Sequence, residues 1–300
     1  MPLIVTGSIG IDSVHAPTGT ATDVLGGSSI YFAAAASFFG PVRLVGAVGE
    51  DFPDHFLETF NHFAVDLEGL ERRAGSKTFR WTGRYHENMN ERDTLEVHLN
   101  VLAEALPPIP EAYRDSQYIF LANTDPGSQA QLLDSFPDRR LAVADTMDLW
   151  IDTQKSQLLA LLERIDGLVL NDAEAIMLTG ATNLVQAAEV IVAMGPRFVV
   201  IKKGEHGSLL VHEDGHLALP AFPVRNVVDP TGAGDSFAGG MMGYLAAADD
   251  ISIRTLRTAM AYGTIIASFN IESFSLDRMK QITRDDLDRR FEGFRAMLEL

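Results

Sequence analysis

Short apolar runs with the composition of buried strands alternate with helical patterns along most of this chain. The strand-like runs cover residues 3–9, 42–48, 118–121, 141–144, 168–170 and 198–201, with helical patterns over 28–39 and 52–63 and a hairpin over 208–219. Nearly continuous Val, Ile and Leu strands separated by amphipathic helices are typical of a largely parallel sheet that helices cover on both faces. The alternation therefore predicts an α/β fold, with ligands bound at the carboxyl ends of the strands.

The stretch of about residues 67–102 departs from this alternation, because its apolar residues recur at every second position. A period of two indicates antiparallel strands with one exposed face. We interpret the stretch as a lid over a substrate site, with a contribution from residues 12–25 left open. The alternative is a surface hairpin or a contact between subunits. The prediction is thus one domain over residues 1–300 that carries a β-rich lid.

The charge and composition argue against several classes of function. A net charge of −17 disfavours a nucleic-acid or anionic-membrane partner, because phosphate groups attract clustered Lys and Arg. The absence of Cys excludes disulfides, thiolate metal sites and a Cys nucleophile. No apolar run reaches the length of a membrane span and no leader precedes the first strand, so we expect a cytoplasmic protein.

The most informative motif is the segment 229–240, Asp-Pro-Thr-Gly-Ala-Gly-Asp-Ser-Phe-Ala-Gly-Gly. We predict a strand over 224–228 before it and a helix after it, so that its glycines lie at a helix start. Free N–H groups and the helix dipole attract anions there, and Gly232 and Gly234 let an anion approach the backbone. Asp235 adds a carboxylate beside this anion site, which fits a general base that takes the proton of an attacking hydroxyl. The alternative is that Asp235 only caps the helix.

Asp12 and a glycine pair form a second group at the same predicted edge of the sheet. Asp12 lies at the end of the first strand, and Gly26 and Gly27 open the following helix. A short carboxylate there suits two hydroxyls of a sugar, and the glycine amides add hydrogen-bond donors. The alternative for Asp12 is a turn cap.

Two further segments follow strand ends. Asn171 and Glu174 come directly after residues 168–170, where Asn171 or Asp172 would cap the next helix. Residues 203–207 form a glycine-bounded turn after residues 198–201, and a lysine on such a turn, here Lys203, is ordinarily solvated. Both segments are predicted to lie near the glycine-rich helix start, because strand ends share one edge of a parallel sheet.

The identity and order of these motifs resemble the ribokinase-like (PfkB) carbohydrate kinases. The resemblance implies a ribokinase-like three-layer sandwich with a mainly parallel sheet and a small β-rich lid. It also implies ATP-dependent phosphorylation of a hydroxyl of a small sugar or sugar-like substrate, with Asp235 as catalytic base. The backbone of Gly232, Ala233, Gly234 and Asp235 would form the anion hole. The expected substrate-binding residues are Asp12, Gly26, Gly27, Tyr31, Arg84 and Asn123, and the expected nucleotide-binding residues are Asn171, Glu174, Lys203, Gly204, Gly207 and Thr231.

The same resemblance implies ATP and Mg²⁺, with Glu174 acting indirectly on the metal. Asp229 and Thr231 match one half of the family's monovalent-cation site, which holds K⁺, whereas residues 272–275 do not match its usual Arg-x-Gly half. K⁺ is therefore left open. Tyr31 occupies the position at which ribokinase itself carries Asn, which suggests a site shaped for a substrate other than ribose.

Two other functions are weighed against the sugar kinase. A nucleoside kinase on the same fold would use aromatic side chains as a stacking surface for a base, namely Phe79, Trp81 and Tyr31. A non-catalytic sugar or nucleotide sensor would have no need of the carboxylate at Asp235. The expected partner is thus a small sugar or a nucleoside, with a homodimer through the lid as a further expectation.

Overall fold

The computed structural model of this protein describes residues 1–299. Its strands are β1 (Leu3–Thr6), β2 (Gly10–Ala16), β3 (Gly19–Gly26), β4 (Val42–Gly49), β5 (Asp66–Arg73), β6 (Phe79–Tyr85), β7 (Arg92–His98), β8 (Tyr118–Leu121), β9 (Leu141–Asp145), β10 (Gly167–Asn171), β11 (Phe198–Lys202), β12 (Ser208–His212) and β13 (Gly215–Leu219). Its α-helices are α1 (Ser28–Ala36), α2 (Phe56–His62), α3 (Pro126–Leu133), α4 (Asp148–Thr153), α5 (Lys155–Leu162), α6 (Asp172–Thr179), α7 (Leu184–Val192), α8 (Ala233–Ala248), α9 (Ile253–Asn270) and α10 (Arg284–Leu298).

A nine-stranded sheet with the order β13-β12-β11-β10-β9-β8-β1-β4-β5 forms the middle layer. The strands from β11 to β5 are parallel, and the hairpin β12–β13 adds two antiparallel strands at one edge. Alternate residues of β1 enter two separate buried clusters, Leu3 and Val5 on one face and Ile4 on the other. Because both faces are covered, the strands read as continuous apolar runs. The predicted three-layer α/β sandwich is confirmed.

A four-stranded sheet with the order β3-β2-β6-β7 forms the lid. Strand β2 pairs in parallel with β6, and β3 and β7 add antiparallel strands on either side. Half of the lid thus comes from residues 10–26. Strand β5, which lies inside the predicted lid stretch, instead joins the large sheet beside β4. Gly69 permits this close approach, since a Cβ there would lie 2.6 Å from the carbonyl oxygen of Leu44.

The outer edge of the lid is exposed to solvent. Every residue of β7 is exposed, including Leu95 at 43% and Val97 at 50%. These side chains form an apolar stripe on an edge strand, where another strand can pair. Dimerisation through the lid stays a prediction.

The segment before α8 differs from its prediction. Residues 224–228 are irregular instead of forming a strand. The N–H groups of Val228 and Asp229 donate to the carbonyl oxygen of Ile271, at 2.8 and 3.4 Å, so this segment is held by the end of α9 and not by a neighbouring strand. The predicted helix after the glycines is present as α8.

Within residues 1–299, the structure contains no single helix that is both long enough and apolar enough to cross a membrane. The bent pair Asp172–Thr179 and Leu184–Val192 meets the requirement by length and composition alone. Leu178 and Ile191 of this pair lie in the buried core, which accounts for its apolar character.

Candidate active site

The start of α8 is the candidate anion site. Gly232 caps the helix with a left-handed φ of 74°, and a Cβ there would lie 2.3 Å from the ring of Tyr31. Only glycine satisfies both conditions without strain. The N–H of Ala233 donates to the carbonyl oxygen of Pro230 at 3.1 Å. The N–H groups of Gly234 and Asp235 are therefore the ones that the first helical turn leaves for an anion.

Asp235 lies in this first turn and is partly exposed to the cleft. Burial raises the pKa of Asp235 to about 8, and the charge of Asp145 adds to this increase. The positive charges of Lys202 and Arg92 act in the opposite direction and lower it. A carboxylate with a raised pKa takes up a proton more readily at neutral pH than an ordinary one. The shift is compatible with the general base predicted at Asp235, and that role stays a prediction.

Three adjacent strands bring further charged groups to the same place. Asp145 ends β9, Lys202 ends β11, and Glu174 follows β10 in the first turn of α6. Lys202 Nζ lies 3.6 Å from Asp145 Oδ2, and a Cβ at Gly234 would lie 2.8 Å from Lys202 Nζ. The ammonium therefore lies directly beside the start of α8.

Lys202 and Asp145 were not identified from the sequence. Each is the last residue of an apolar strand, and Lys202 is followed by the more conspicuous Lys203 in a glycine-bounded turn. The signal that could have found them is their position, because the last residue of a parallel strand lies at the binding edge.

Asn171 and Glu174 form a capping box at the start of α6. Asn171 Oδ1 accepts the N–H of Glu174 at 2.8 Å, and Glu174 Oε2 accepts the N–H of Asn171 at 2.7 Å. Asn171 therefore does cap α6 in the structure. The charged groups around Glu174 also change its pKa. Burial, with the charge of Asp145 adding to it, raises the pKa of Glu174 to about 7 despite Lys202.

Asp12 is buried on the inner side of the lid, at 4% exposure. Its Oδ1 has no hydrogen-bond partner among the described residues. A Cβ at Gly26 would lie 1.9 Å from Asp12 Oδ2, so glycine is required there. Burial raises the pKa of Asp12 to about 7, and the charge of Asp229 adds to this increase. The N–H of Gly27 acts in the opposite direction, because it stabilises the carboxylate. A buried acceptor without a partner is costly unless a ligand satisfies it.

Tyr31 connects this site to the anion site. Its side chain is 1% exposed, and its ring packs against Gly232. Burial and the nearby carboxylates of Asp229 and Asp12 raise the pKa of Tyr31 well above its ordinary value. The ring is thus buried between the two sites, which leaves no free face on which a base could stack.

Two other predicted substrate residues, Arg84 and Asn123, lie on the lid and at the edge of the large sheet. Arg84 is exposed on the face of β6 opposite to the buried Tyr85. Asn123 follows β8 at the carboxyl edge of the large sheet, where its Oδ1 accepts a hydrogen bond from Trp150 Nε1 at 2.8 Å. Contact of either residue with a substrate stays a prediction.

The predicted nucleotide turn, residues 203–207, is closed by a hydrogen bond from the N–H of Lys203 to the carbonyl oxygen of Gly207 at 2.8 Å. Gly204 and Gly207 have φ values of 52° and 84°. The lid contacts this turn, since Asn90 Nδ2 donates to Glu205 Oε1 at 2.8 Å. The lid is therefore folded over the edge at which the charged groups meet.

Asp229 and Thr231 hold the approach to the anion site. Asp229 is 1% exposed, its Oδ1 accepts the N–H of Thr231 at 2.9 Å, and its Oδ2 has no partner among the described residues. Thr231 Oγ1 donates to the hydroxyl of Tyr85 in the lid at 3.2 Å. A third residue missed from the sequence, the buried Asn270, donates from Nδ2 to the carbonyl oxygen of Thr231 at 2.8 Å. The unpartnered Oδ2 of Asp229 fits a ligand of a monovalent cation. The carbonyl oxygen of Thr231, however, already accepts a hydrogen bond from Asn270. Binding of K⁺ therefore stays a prediction.

Comparison with known proteins shows which family this chain belongs to. The chain is 31% identical over 247 residues to the cytidine kinase of Thermococcus kodakarensis. The aligned region covers 81% of this chain and 87% of that kinase. The fold superposes on the nucleoside kinase of Burkholderia thailandensis in complex with inosine, with a TM-score of 0.78, 19% identity and 97% coverage of both chains. It also superposes on the aminoimidazole riboside kinase of Salmonella enterica complexed with aminoimidazole riboside and an ATP analogue, with a TM-score of 0.76 and 20% identity over 97% of this chain and 100% of that chain.

The family model of the pfkB family carbohydrate kinases matches residues 9–282. This range includes Asp12 on the lid, the cluster at the strand ends, and the glycine-rich start of α8 with Asp235. The protein therefore belongs to the PfkB, or ribokinase-like, family of ATP-dependent kinases.

Proposed function

We propose that the protein is a nucleoside kinase that transfers the γ-phosphoryl group of ATP to a hydroxyl of a ribonucleoside, with cytidine as the first candidate. The observation that carries this proposal is the similarity to a cytidine kinase over 81% of the chain. The sequence alone favoured a small sugar, with a nucleoside as the alternative. The relatives support the alternative better, because they include a cytidine kinase and a nucleoside kinase.

The geometry of the lid supports a substrate that carries both a sugar and a base. Asp12 pairs with Trp81 in the register of β2 and β6, so both side chains lie on the same face of the lid. Trp81 lies flat along β6, because a Cβ at Gly83 would meet its ring at 2.0 Å. Asp12 would accept hydrogen bonds from ribose hydroxyls. The base would stack on the Trp81 ring in place of the Arg92 guanidinium, which lies over that ring at 5.8 Å from its centroid.

The reaction uses the groups at the start of α8. Asp235 takes the proton of the acceptor hydroxyl as its oxygen forms a bond to the γ-phosphorus. The bond between this phosphorus and the β–γ bridging oxygen breaks, and ADP leaves. The N–H groups of Gly234 and Asp235 stabilise the negative charge on the transferred group. The lid excludes water, which limits transfer of the phosphoryl group to water.

Magnesium would be held mainly by the ATP phosphates and by water, as this ion usually is. Within residues 1–299, no group of three or more His, Asp or Glu side chains is arranged to hold a metal ion. Glu174 has a free carboxylate oxygen beyond its capping bond and fits an indirect contact through water. When bound, the ion neutralises part of the phosphate charge.

An ADP-release assay tests the proposal. Cytidine, uridine, adenosine and inosine would be compared with ribose, deoxyribose, fructose and inositol at equal concentration, and the product would be identified by mass spectrometry and phosphorus NMR. We expect a nucleoside to give a kcat/KM at least about tenfold above that of any free sugar, because contacts to the base add binding energy. A free sugar that exceeds every nucleoside would contradict the proposal and restore the sugar-kinase interpretation.

The lid should respond to the acceptor. Strand β7 is the exposed edge strand of the lid, so its amides should exchange rapidly in the free protein. We expect hydrogen exchange in residues 79–98 to slow when the right nucleoside is added, while the exchange of β8 and β9 stays unchanged. Slowing by ATP alone, with no addition from any nucleoside, would indicate that this segment serves as an interface and not as a lid.

A further inference from the structure

The ammonium of Lys202 occupies an unusual place beside the anion site. It lies at the first turn of α8, and the absence of a side chain at Gly234 makes room for it. The side chain of Lys202 is 17% exposed. A cation next to a helix N-terminus is repelled by the helix dipole, which favours anions there. The arrangement therefore needs negative charge nearby.

Three carboxylates supply part of this charge. Burial lowers the pKa of Lys202, but Asp145, Glu174 and Asp235 together raise it above its ordinary value, so the side chain stays charged. The nearest ion pair, Lys202 Nζ to Asp145 Oδ2, measures 3.6 Å. This distance exceeds that of an ordinary hydrogen bond, about 3 Å. The ammonium is thus held in place by Asp145 and is still able to bind a further oxygen.

We propose that Lys202 is a catalytic residue that binds an oxygen of the phosphoryl group during its transfer, and that Asp145 positions it. In the transition state, the transferred phosphoryl group carries negative charge on its three equatorial oxygens. The N–H groups of Gly234 and Asp235 approach it along the helix axis, and Lys202 approaches from the end of β11. Lys202 keeps its proton throughout, while Asp235 receives the proton of the acceptor. The alternative is that Lys202 only neutralises the buried Asp145 and Glu174.

The proposal predicts a kinetic effect of Lys202→Met, which keeps the length of the side chain and removes its charge. Removing one preorganised donor from a developing oxyanion lowers kcat by about 10²-fold or more. We expect a loss of this size, with KM for the acceptor within about threefold of the original because the acceptor hydroxyl does not touch Lys202. The matched control is Lys155→Met, since Lys155 Nζ donates only to the carbonyl oxygen of Leu178 on the outer layer. A kcat for Lys202→Met within about threefold of the control would overturn the proposal.

A binding measurement separates the catalytic role from the neutralising one. The proposal rests on the proposed kinase reaction, but the measurement needs no acceptor, so an error in the acceptor class would not affect it. By calorimetry, Lys202→Met should weaken the non-hydrolysable β,γ-imido analogue of ATP about tenfold more than ADP, because only the analogue carries the third phosphate. Equal weakening of both nucleotides would overturn the proposal.

Lys202→Met leaves Asp145 buried without its cation and can unfold the protein for that reason alone. The double variant with Asp145→Asn removes this unpaired charge. We expect it to fold, as judged by its melting temperature, and to keep the full loss of kcat. Recovery of kcat in the folded double variant would show that Lys202 serves only to neutralise Asp145, and would overturn the proposal.

Discussion

Replacement of Asp235 by asparagine is expected to lower kcat by about 10²–10⁴-fold, the usual contribution of a general base, with little change in nucleotide affinity. Asparagine keeps the size of the side chain and its place in the first turn of α8, but it cannot take up the proton of the acceptor. The matched control is Asp285→Asn, an exposed acid in the first turn of α10. A variant at position 235 with more than half of the original activity would refute the assignment of the base.

The same residue predicts a pH dependence. Because the cleft raises the pKa of Asp235 to about 8, the ionised base becomes populated as the pH rises through neutrality. kcat/KM should therefore increase with pH up to this range, and Asp235→Asn should lose that limb of the profile. A profile that is flat from about pH 5 to 9 in the unmodified protein would contradict this expectation.

Stability should change in the opposite direction from activity. The folded-state pKa of Asp235 lies above the unfolded-state value, so the folded protein binds more protons between them, and stability falls as the pH rises from about 4 to about 8. Asparagine removes this penalty. We expect the melting temperature of Asp235→Asn at pH 8 to equal or exceed that of the unmodified protein.

The edge at which the site forms could be predicted from the sequence. Residues that directly follow strands of a parallel sheet share one edge, which is why Glu174 lies near the start of α8 as predicted. Asp12 was expected at the end of the first strand, but that strand ends at Thr6, and Asp12 reaches the cleft from β2 of the lid. The resemblance of their motifs to those of the ribokinase-like family gave their expected roles, and these roles stay predictions. Lys202 was passed over because a single lysine at the end of an apolar strand carries no pattern of its own.

The lid shows what local pattern cannot give. A period of two identifies strands but not their partners, and the parallel pairing of β2 with β6 joins residues about seventy positions apart in the chain. The pairing of Asp12 with Trp81 depends on this strand pairing, so the sequence alone could not predict it. Likewise, residues 224–228 have the composition of a strand, but the N–H of Val228 donates to the carbonyl oxygen of Ile271 at the end of α9, a long-range contact that the local pattern does not show.

Replacement of Asp12 tests how the acceptor nucleoside is bound. Its Oδ1 is buried without a partner among the described residues, and Gly26 leaves just enough room for Oδ2. Two hydrogen bonds from ribose hydroxyls to this carboxylate would each contribute about 1.5–3 kcal/mol. Asp12→Ala should therefore raise KM for the nucleoside by about 10²-fold or more, with the affinity for ADP nearly unchanged.

Gly26→Ala offers an independent approach to the same carboxylate. Its new Cβ would collide with Asp12 Oδ2 at 1.9 Å and displace the carboxylate without removing its charge, so it should raise the same KM. The control is Asp93→Ala, which removes an exposed carboxylate from β7 of the lid. If calorimetry finds nucleoside binding intact in folded Asp12→Ala, then Asp12 only stabilises the lid, and the acceptor must be held by other groups of the cleft.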